Sequence, residues 1–569
     1  MKKVMAMVLL GVGMSVQAQV RLNQVGVTPE QEKTVVVEGA VKAAQVKIVD
    51  AKTGKSVVKP KVLRVARSPF SDKRRTVLDF SQLRAEGDYA VVAGGERQPF
   101  SVRRHALGEV SKAALKVFYL IRSGMPIDAR YAGAWARPSG HNDTQVLVHA
   151  SAVSPGRPEG TVISSPKGWY DAGDYNKYVV NSSYSIGLML CAYEQCSGYF
   201  NQLNTNIPES GNRTADLLDE MMYNLDWLLT MQDPWDGGVY HKLTTPSFEA
   251  FVLPRDCHQK RYVVAKSVTA TLDFAAVMAQ AARIFSGNAD YPDFSAHATR
   301  AALAAYHWAE QNPNAWYRQN EMNKRFAPAV TTGEYGDRSA SDERFWAATE
   351  LYLLTGDVKF QNDAAACQPH DFHATSWAGV ASLGTYEWLT QCHDAAIAQS
   401  ARPQLLAYAD SLVAAIPTSS FQTPSGNRAH DFGWGCLGGS FCSTGVALLF
   451  AHQLTGDKRY LTAAQQNADY ILGRNATGYC FVTGFGTHSP MHPHHRISAA
   501  DGVEAPFPGF LVGGPNPGQQ DKGNNLTYTS NLPDESYMDH VDSYASNEIA
   551  INWNAELVSF IGWLDSLAQ

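Results

Sequence analysis

The sequence lacks any basic run after residue 18, and it lacks any later apolar run long enough to cross a membrane. Its formal net charge is only -6 over 569 residues. These absences argue against nucleic acid or an anionic membrane as a partner, and against a membrane-spanning protein. A neutral ligand fits this composition better.

Cysteine is also scarce, with eight residues in the whole chain. So few cysteines do not make a disulfide framework, although an exported protein could form one or two bridges. Cys191 and Cys196 are close in sequence, as are Cys436 and Cys442, but spacing alone does not determine the connectivity.

Residues 1–18 have the features of a signal peptide. They contain two lysines, then an apolar core, then small residues before an expected cleavage after Ala18. Residue 19 is glutamine rather than cysteine, which argues against a lipid anchor. We therefore expect the mature protein to be secreted or periplasmic, and not to be held by a membrane.

The remaining chain is too long for one average domain, and 45% hydrophobic residues are ample for a large core. Residues 19–103 show short alternating apolar runs, such as 34–37 and 89–92, separated by turn signals. This pattern predicts a small immunoglobulin-like β-sandwich. Residues 104–569 contain about a dozen candidate amphipathic or apolar helices, so the fold class is predicted to be mainly α.

Two carboxylates, Asp171 and Asp174, lie three residues apart among aromatic residues and glycines. An apolar run that predicts a long buried helix follows them, so the pair is expected at a loop-to-helix junction. A helix N-terminus stabilises ionised carboxylates, and both are therefore expected to stay charged and to act as bases. The alternative is that Asp171 only caps the helix and Asp174 is a first-turn acid.

Two further polar segments lie far away in the sequence. Residues 537–555 place Glu548 before another apolar helical run, and residues 483–496 form a loop rich in glycine, proline and histidine. Four histidines within eight positions could hold a metal, but no nearby cysteine completes a familiar ligand spacing. The three segments together suggest one site. The histidines are His488, His492, His494 and His495.

These segments resemble the signatures of glycoside hydrolase family 9, the cellulase family of inverting β-glucanases. The Asp-Ala-Gly-Asp-Tyr block, the Pro-His-His-Arg loop and residues 537–555 occur in the family's order and at its spacing. The loop departs from the family pattern at Cys480 and His488. The resemblance implies that the helices form an (α/α)6-barrel catalytic domain behind the β-sandwich, with the site at the loop end of the barrel.

The resemblance also implies the roles of individual residues. Asp174 would be the general base, Asp171 would hold the same water, and Glu548 would be the general acid. Glu548 must be protonated to act, which an apolar or anionic setting would favour. Asp539 would in addition brace the acid loop. The substrate-binding candidates are His494, Arg496, Trp434, Tyr544, Asp539 and Tyr335.

Hydrolysis of this kind requires no cofactor, but relatives often carry structural metal ions. Zinc is not expected, because Ser123 and Gly140 stand where the two cysteine ligands would fall, leaving only His141 and His149.

Calcium is expected instead. Glu209, Asn212 and Asp216 resemble one family calcium site, and Asp342 with Glu343 resembles a second. The alternative is that these acids only begin helices.

The resulting prediction is a secreted, monomeric, inverting endo-β-1,4-glucanase that acts on cellulose-like or mixed-linkage β-glucan. An exo-acting enzyme on short cello- or chitosan-oligosaccharides is the first alternative, because residues 474–543 could wall off the cleft. A non-catalytic glycan-binding protein and a polysaccharide lyase are further alternatives. Retention of all three carboxylates argues against both.

Overall fold

The computed structural model describes residues 19–393, 395–523 and 526–568. The predicted signal peptide, residues 1–18, lies outside this part of the chain. None of the helices that the structure describes is both long and apolar enough to cross a membrane.

The first part of the chain is a sandwich of two antiparallel four-stranded sheets, as predicted. Its strands are β1 (Val20–Arg21), β2 (Thr34–Glu38), β3 (Val46–Asp50), β4 (Ser56–Val58), β5 (Lys61–Arg67), β6 (Arg74–Asp79), β7 (Gly87–Ala93) and β8 (Glu96–Val102). The strand orders are β1-β2-β6-β5 and β4-β3-β7-β8. Alternate residues such as Val35, Ile48 and Val91 are fully buried between the sheets, which explains the alternating sequence pattern.

The second part is dominated by helices, and the mainly α class is confirmed. The described helices are α1 (Gly108–Leu120), α2 (Ala129–Ala132), α3 (Val179–Phe200), α4 (Asp216–Thr230), α5 (Val268–Ile284), α6 (Phe294–Gln311), α7 (Gln319–Asn323), α8 (Ser341–Thr355), α9 (Val358–Cys367), α10 (Ala381–Gln391), α11 (Ala396–Ala415), α12 (Ser443–Thr455), α13 (Lys458–Ile471), α14 (Arg496–Ala500) and α15 (Ile551–Ser566).

Six of these helices form an inner ring: α3, α5, α8, α10, α12 and α15. Helix α15 packs on α3, α3 on α5, α5 on α8, and α8 on α10, while α12 packs on α15. Tyr386 of α10 stacks on Phe450 of α12 at 3.8 Å between ring centroids, which closes the ring. An inner helix is surrounded by other elements, and α15 is accordingly buried continuously from Ile551 to Asp565. Helices α1, α4, α6, α9, α11 and α13 pack outside, giving the predicted (α/α)6 barrel.

A small sheet that the sequence did not predict lies near the loop end of the barrel. Its strands are β9 (Val146–Val148), β10 (Val162–Ile163), β11 (Lys177–Tyr178), β12 (Lys242–Thr244) and β13 (Tyr262–Val263). The order is β10-β9-β13-β12-β11. Strands of two or three residues are too short to show a periodic pattern. Strand β11 directly precedes α3, so the sheet fixes the chain just after Asp174.

The sandwich is joined to the barrel by buried polar contacts. Arg474 is fully buried; it pairs with Asp469 at 2.7 Å and also donates to the Thr34 hydroxyl of the sandwich. The Gln24 side-chain carbonyl accepts hydrogen bonds from the backbone N–H groups of Thr487 and His488, at 2.9 and 3.0 Å. The sandwich therefore holds the beginning of the histidine-rich loop.

All eight cysteines lie within the described residues, and each is a free thiol. The two pairs that are close in sequence do not form bridges. The fold therefore depends on its core and its polar contacts rather than on disulfides.

Candidate active site

Backbone pairing brings the three polar segments together. Ala172 forms an antiparallel bridge with Ala550, and His494 forms a parallel bridge with Glu548. Segments that are more than 300 residues apart in sequence thus make one continuous surface. The structure confirms that the three signatures contribute to a single place in the fold.

This place is a cavity of about 620 Å³ at the loop end of the barrel. Its residues precede the N-termini of the inner helices, so the inner ring positions them. They include Asp171 and Asp174 before α3, Tyr335 before α8, Trp377 before α10, Trp434 before α12 and Glu548 before α15.

Asp171 is 1% exposed, and both of its carboxylate oxygens are engaged. Oδ1 accepts from Asn181 Nδ2 at 2.8 Å, and Oδ2 accepts from the Tyr335 hydroxyl at 2.7 Å. Burial, followed by the charge of Asp174, raises the pKa of Asp171 to about 8. The expected stabilisation of its charge by a helix N-terminus is absent, because α3 begins only at Val179 and the dipole effect is limited to the first turn.

Only one of the two carboxylate oxygens of Asp174 accepts hydrogen bonds from the described residues. Its Oδ2 accepts from Asn176 Nδ2 at 2.5 Å and from the Tyr178 hydroxyl at 3.0 Å. Among the described residues, no hydrogen bond reaches Oδ1, and the side chain lines the cavity. The N-cap residue of α3 is Tyr178, so neither Asp171 nor Asp174 is a helix cap. One oxygen of Asp174 is therefore available to a ligand.

Glu548 lies against the loop of the two aspartates. Its Oε1 accepts from the Gly173 backbone N–H at 3.3 Å, and Oε2 makes no hydrogen bond with the described residues. Burial, followed by the charge of Asp174, raises the pKa of Glu548 to about 8. A Cβ atom on Gly173 would lie 2.3 Å from the His494 carbonyl oxygen, so this approach requires glycine. Glu548 can therefore hold a proton at neutral pH.

His494 and Arg496 fix the surroundings of the acids. The His494 Nδ1 lies 2.6 Å from the Val541 carbonyl, and burial lowers the pKa of His494, which keeps the ring neutral. Arg496 donates through Nη1 to the Gly173 carbonyl at 2.7 Å and through Nε to the Glu249 carbonyl at 2.8 Å. Arg496 thus orients the loop that bonds to Glu548.

Asp539, like His494, Arg496 and Tyr544, is not among the residues that line the cavity, and its contact with substrate stays a prediction. Its Oδ2 accepts from the Met491 N–H and its Oδ1 from the His492 N–H, both at 2.8 Å. Oδ1 also accepts from Asn547 Nδ2 at 3.1 Å. Both carboxylate oxygens of Asp539 thus accept hydrogen bonds from the protein, as expected for a residue that braces the acid loop.

Aromatic side chains form the walls of the cavity. Trp434 is 50% exposed and lies beside Tyr544, with 5.6 Å between ring centroids. Tyr335 packs against Tyr178 and Trp377, with ring centroids 4.8 and 4.9 Å away. Tyr335 adopts a φ of 46°, a left-handed conformation that is uncommon for non-glycine residues. Trp434 and Tyr335 therefore line the cavity, and Tyr544 packs beside Trp434.

Several cavity residues were not singled out from the sequence. Asn181 bonds to Asp171 and, at 3.3 Å, to Asn552, although both asparagines lie within apolar helical runs. A polar residue in the first turn of such a run is a usable signal, but only once the helix start is known. The others are Tyr178, Phe248, Trp377, Trp553 and the segment 331–334.

The histidines of the loop do not converge on a metal. His488 packs on Tyr479 at 3.8 Å between ring centroids, and His495 Nδ1 lies 2.9 Å from the Ser498 hydroxyl. The rings of His488, His494 and His495 therefore contact three different partners rather than one another.

The family zinc ligands do not fit this chain either. A Cβ at Gly140 would lie 2.3 Å from the Pro254 carbonyl carbon, which leaves no room for a cysteine. His149 Nε2 lies 3.0 Å from the Pro328 carbonyl and is not directed at His141.

The calcium site expected at Glu209, Asn212 and Asp216 stays a prediction, and the structure shows which of its oxygens have protein partners. Glu209 accepts two hydrogen bonds from Arg122, at 3.0 and 3.1 Å. Asp216 Oδ2 accepts from the Ser210 hydroxyl at 2.8 Å, and Asn212 turns its Nδ2 toward Asp219. Protein donors therefore engage both oxygens of Glu209 and one oxygen of Asp216. The second expected site also stays a prediction: Asp342 Oδ2 accepts from the Val380 N–H at 3.0 Å, and Glu343 Oε2 is buried without a hydrogen-bond partner among the described residues.

Comparisons with known proteins identify relatives over nearly the whole chain. The family model "Glycosyl hydrolase family 9" matches residues 108–561, and the model "Cellulase N-terminal ig-like domain" matches residues 15–98. A xyloglucan-specific endo-beta-1,4-glucanase of Bacteroides ovatus is 54% identical over 96% of this chain and 94% of its own length. Endoglucanase D of Acetivibrio thermocellus is 34% identical over 95% of this chain and 82% of its own. A solved Bacteroides ovatus GH9 structure, 52% identical, superposes with a TM-score of 0.93 over 97% of this chain and 99% of that chain.

Proposed function

The chain belongs to glycosyl hydrolase family 9 and is an endo-acting β-glucan hydrolase, and from that premise we propose that it cleaves β-1,4 linkages within xyloglucan. The observation that carries the proposal is the 54% identity to a xyloglucan-specific endo-β-1,4-glucanase across both parts of the chain. A branched glucan needs space beside its backbone. Trp434 and Phe248 are half-exposed on the cavity wall, and their rings offer apolar surface to the faces of sugar rings.

We assign Glu548 as the general acid. Its Oε2 is unbonded, and its raised pKa keeps the proton available at neutral pH. In the reaction it gives this proton to the glycosidic oxygen, which leaves as the hydroxyl of the departing glucan chain. The Gly173 N–H then stabilises the carboxylate that remains.

We assign Asp174 as the general base. Its unbonded Oδ1 takes a proton from a water molecule as the water oxygen attacks the anomeric carbon, and the configuration inverts. Asp171 has both oxygens committed to Asn181 and Tyr335, so it acts by fixing the base and the water rather than by taking the first proton. His494, Arg496 and Trp434 complete the site as positioning and stacking groups.

The protein is proposed to work outside the cytoplasm, because residues 1–18 read as an export signal and xyloglucan is a polymer that cannot enter a cell intact. It is proposed to act as a monomer, because the acid, the base and the aromatic walls all come from one chain.

The substrate is tested by kinetics on tamarind-type xyloglucan, barley-type mixed-linkage glucan, carboxymethyl cellulose and cellohexaose. We expect kcat/KM on xyloglucan to exceed that on the undecorated polymers by at least ~10-fold, about 1.4 kcal/mol of transition-state preference. Viscosity should fall before many reducing ends appear. Equal or higher kcat/KM on mixed-linkage glucan would refute the xyloglucan assignment and favour the substrate predicted from the sequence.

Replacing Tyr335 with phenylalanine is expected to lower kcat/KM by up to about 10-fold, because one hydrogen bond contributes roughly 0.5–1.5 kcal/mol. In the native protein the hydrogen bond from the Tyr335 hydroxyl lowers the pKa of Asp171. Removing this hydrogen bond therefore raises that pKa further. The acidic limb of the pH–rate profile should therefore move to higher pH. Tyr352→Phe on α8 is the matched control, and an unchanged acidic limb in Tyr335→Phe would contradict the role given to Asp171.

A further inference from the structure

A group of three potential metal ligands lies outside the acid cluster. A histidine nitrogen, a carboxylate oxygen and a cysteine sulfur, from His141, Glu249 and Cys257, all lie within 4.8 Å of one another. It is the only group of three or more His, Cys, Asp or Glu ligand atoms this close among the residues that the structure describes. His141 comes from the loop after α2, and the other two come from the loop between β12 and β13.

His141 presents an unused nitrogen to this group. Its Nδ1 lies 3.0 Å from the Tyr170 hydroxyl, whereas Nε2 is buried and has no hydrogen-bond partner. A buried polar atom without a partner lowers the stability of the fold, so a ligand bound to Nε2 would stabilise the protein. If Nδ1–H donates to Tyr170, Nε2 carries a free lone pair, which is the arrangement found in metal-bound histidines.

The other two side chains are only weakly engaged. The Cys257 Sγ lies 3.7 Å from the Leu253 carbonyl, and Glu249 Oε1 accepts from the Gln259 N–H at 3.4 Å. All three side chains are partly buried. Their present partners are therefore easily exchanged for a stronger one.

The charges of the ligands themselves suit a cation. Nearby, Arg261 and Lys177 share one partner, Asp143, at 3.1 and 2.8 Å, so that carboxylate balances only one of the two positive charges. Glu249 and an ionised Cys257 would supply two negative charges for a divalent ion. Nitrogen, sulfur and oxygen ligands in one small group are characteristic of zinc.

We propose that His141, Glu249 and Cys257 bind one divalent transition-metal ion of the zinc class. This ligand set shares only His141 with the one at positions 123, 140, 141 and 149, which does not fit this chain, and it takes its other two ligands from the loop between β12 and β13. Three protein ligands leave one position for water. Binding removes the Cys257 thiol proton, which passes to the solvent as the sulfur–metal bond forms.

The ion would fasten a loop that reaches the active site. In that loop, the Glu249 carbonyl accepts from Arg496, the Val252 carbonyl accepts from Tyr175 at 2.6 Å, and Phe251 packs edge-on against His494. The metal would therefore tie the wall of the cleft to the first loop of the barrel. It has no part in bond cleavage.

The test uses the full mature protein, stripped with a chelator and titrated with Co²⁺. We expect one equivalent to bind and to give a thiolate-to-cobalt charge-transfer band. The band should disappear in Cys257→Ser and persist in Cys367→Ser, a matched change at another half-buried cysteine. Absence of a stoichiometric band in the wild type, or its persistence in Cys257→Ser, would overturn the proposal.

A second measurement does not depend on the thiol. After reloading with Zn²⁺ and gel filtration, the wild type and Cys367→Ser should each retain about one zinc per chain and melt at a higher temperature than their stripped forms. Glu249→Gln should lose both effects while keeping the melting temperature of the stripped protein. Full zinc retention by Glu249→Gln would rule out the ligand set. Neither measurement depends on the substrate, so a failure here leaves the xyloglucan assignment unaffected.

Discussion

Glu548→Gln is expected to lower kcat on β-glucan by at least ~100-fold, as general acid catalysis contributes roughly 10²–10⁴. Glutamine preserves the shape of the side chain and can still accept the Gly173 hydrogen bond, but it cannot give a proton to the glycosidic oxygen. The measurement is initial rate on xyloglucan across pH. The wild type should lose activity as the pH rises through about 8, where Glu548 ionises, and the residual activity of the variant should lack this alkaline limb.

The same variant provides its own folding control. Because the native pKa of Glu548 is raised from 4.5 to about 8, the folded chain binds more protons than the unfolded chain between these values. Wild-type stability therefore falls as the pH rises through this window, and glutamine removes the effect. The variant should melt at the same or a higher temperature than the wild type at pH 8. Near-normal turnover in a folded Glu548→Gln protein would exclude Glu548 as the acid.

Asp174→Asn is expected to have an effect of similar size, at least ~100-fold on kcat, because the attacking water loses its proton acceptor. It should also change Glu548, since the charge of Asp174 helps to raise the pKa of that carboxyl. The alkaline limb of any remaining activity should thus move to lower pH. A variant that merely disturbed the fold would not show this shift.

Asp363→Asn, on the outer helix α9, is the matched carboxylate control and should retain wild-type rates. If Asp174→Asn kept its rate while Asp171→Asn lost it, the two aspartates would have to exchange roles. The unbonded Oδ1 of Asp174 is the structural reason to expect otherwise.

Much of the fold could be predicted from the sequence because its helices are long and strongly patterned. Helices α3 and α15 appear in the sequence as apolar runs that begin near Val179 and Ile551. The three predicted catalytic carboxylates lie just before these runs. Motifs with fixed spacing identified the family, the hydrolase activity and the location of the site. The endo mode was the leading prediction from the sequence, and the comparisons confirm it over the exo-acting, glycan-binding and lyase alternatives.

The rest depended on contacts between distant residues. Sequence spacing could not show that Asp539 faces backbone N–H groups, or that Arg122 occupies Glu209. It could not show that the α3 dipole lies too far away to keep Asp171 ionised, because the distance depends on where the helix begins. It also could not place Cys257 beside His141, since more than 100 residues separate them.

The sandwich cannot be exchanged independently of the catalytic part, because the two share specific hydrogen bonds. Arg474, which reaches Thr34, and the loop at Thr487, which binds Gln24, are specific to the surface that the sandwich presents. Exchanging the sandwich for one without these groups would remove one hydrogen-bond acceptor of the buried Arg474 guanidinium, which keeps Asp469, and would release one end of the histidine-rich loop. Recombination within this lineage should therefore preserve the two parts as a unit, and successful chimaeras should carry residues 474–488 together with the sandwich that they contact.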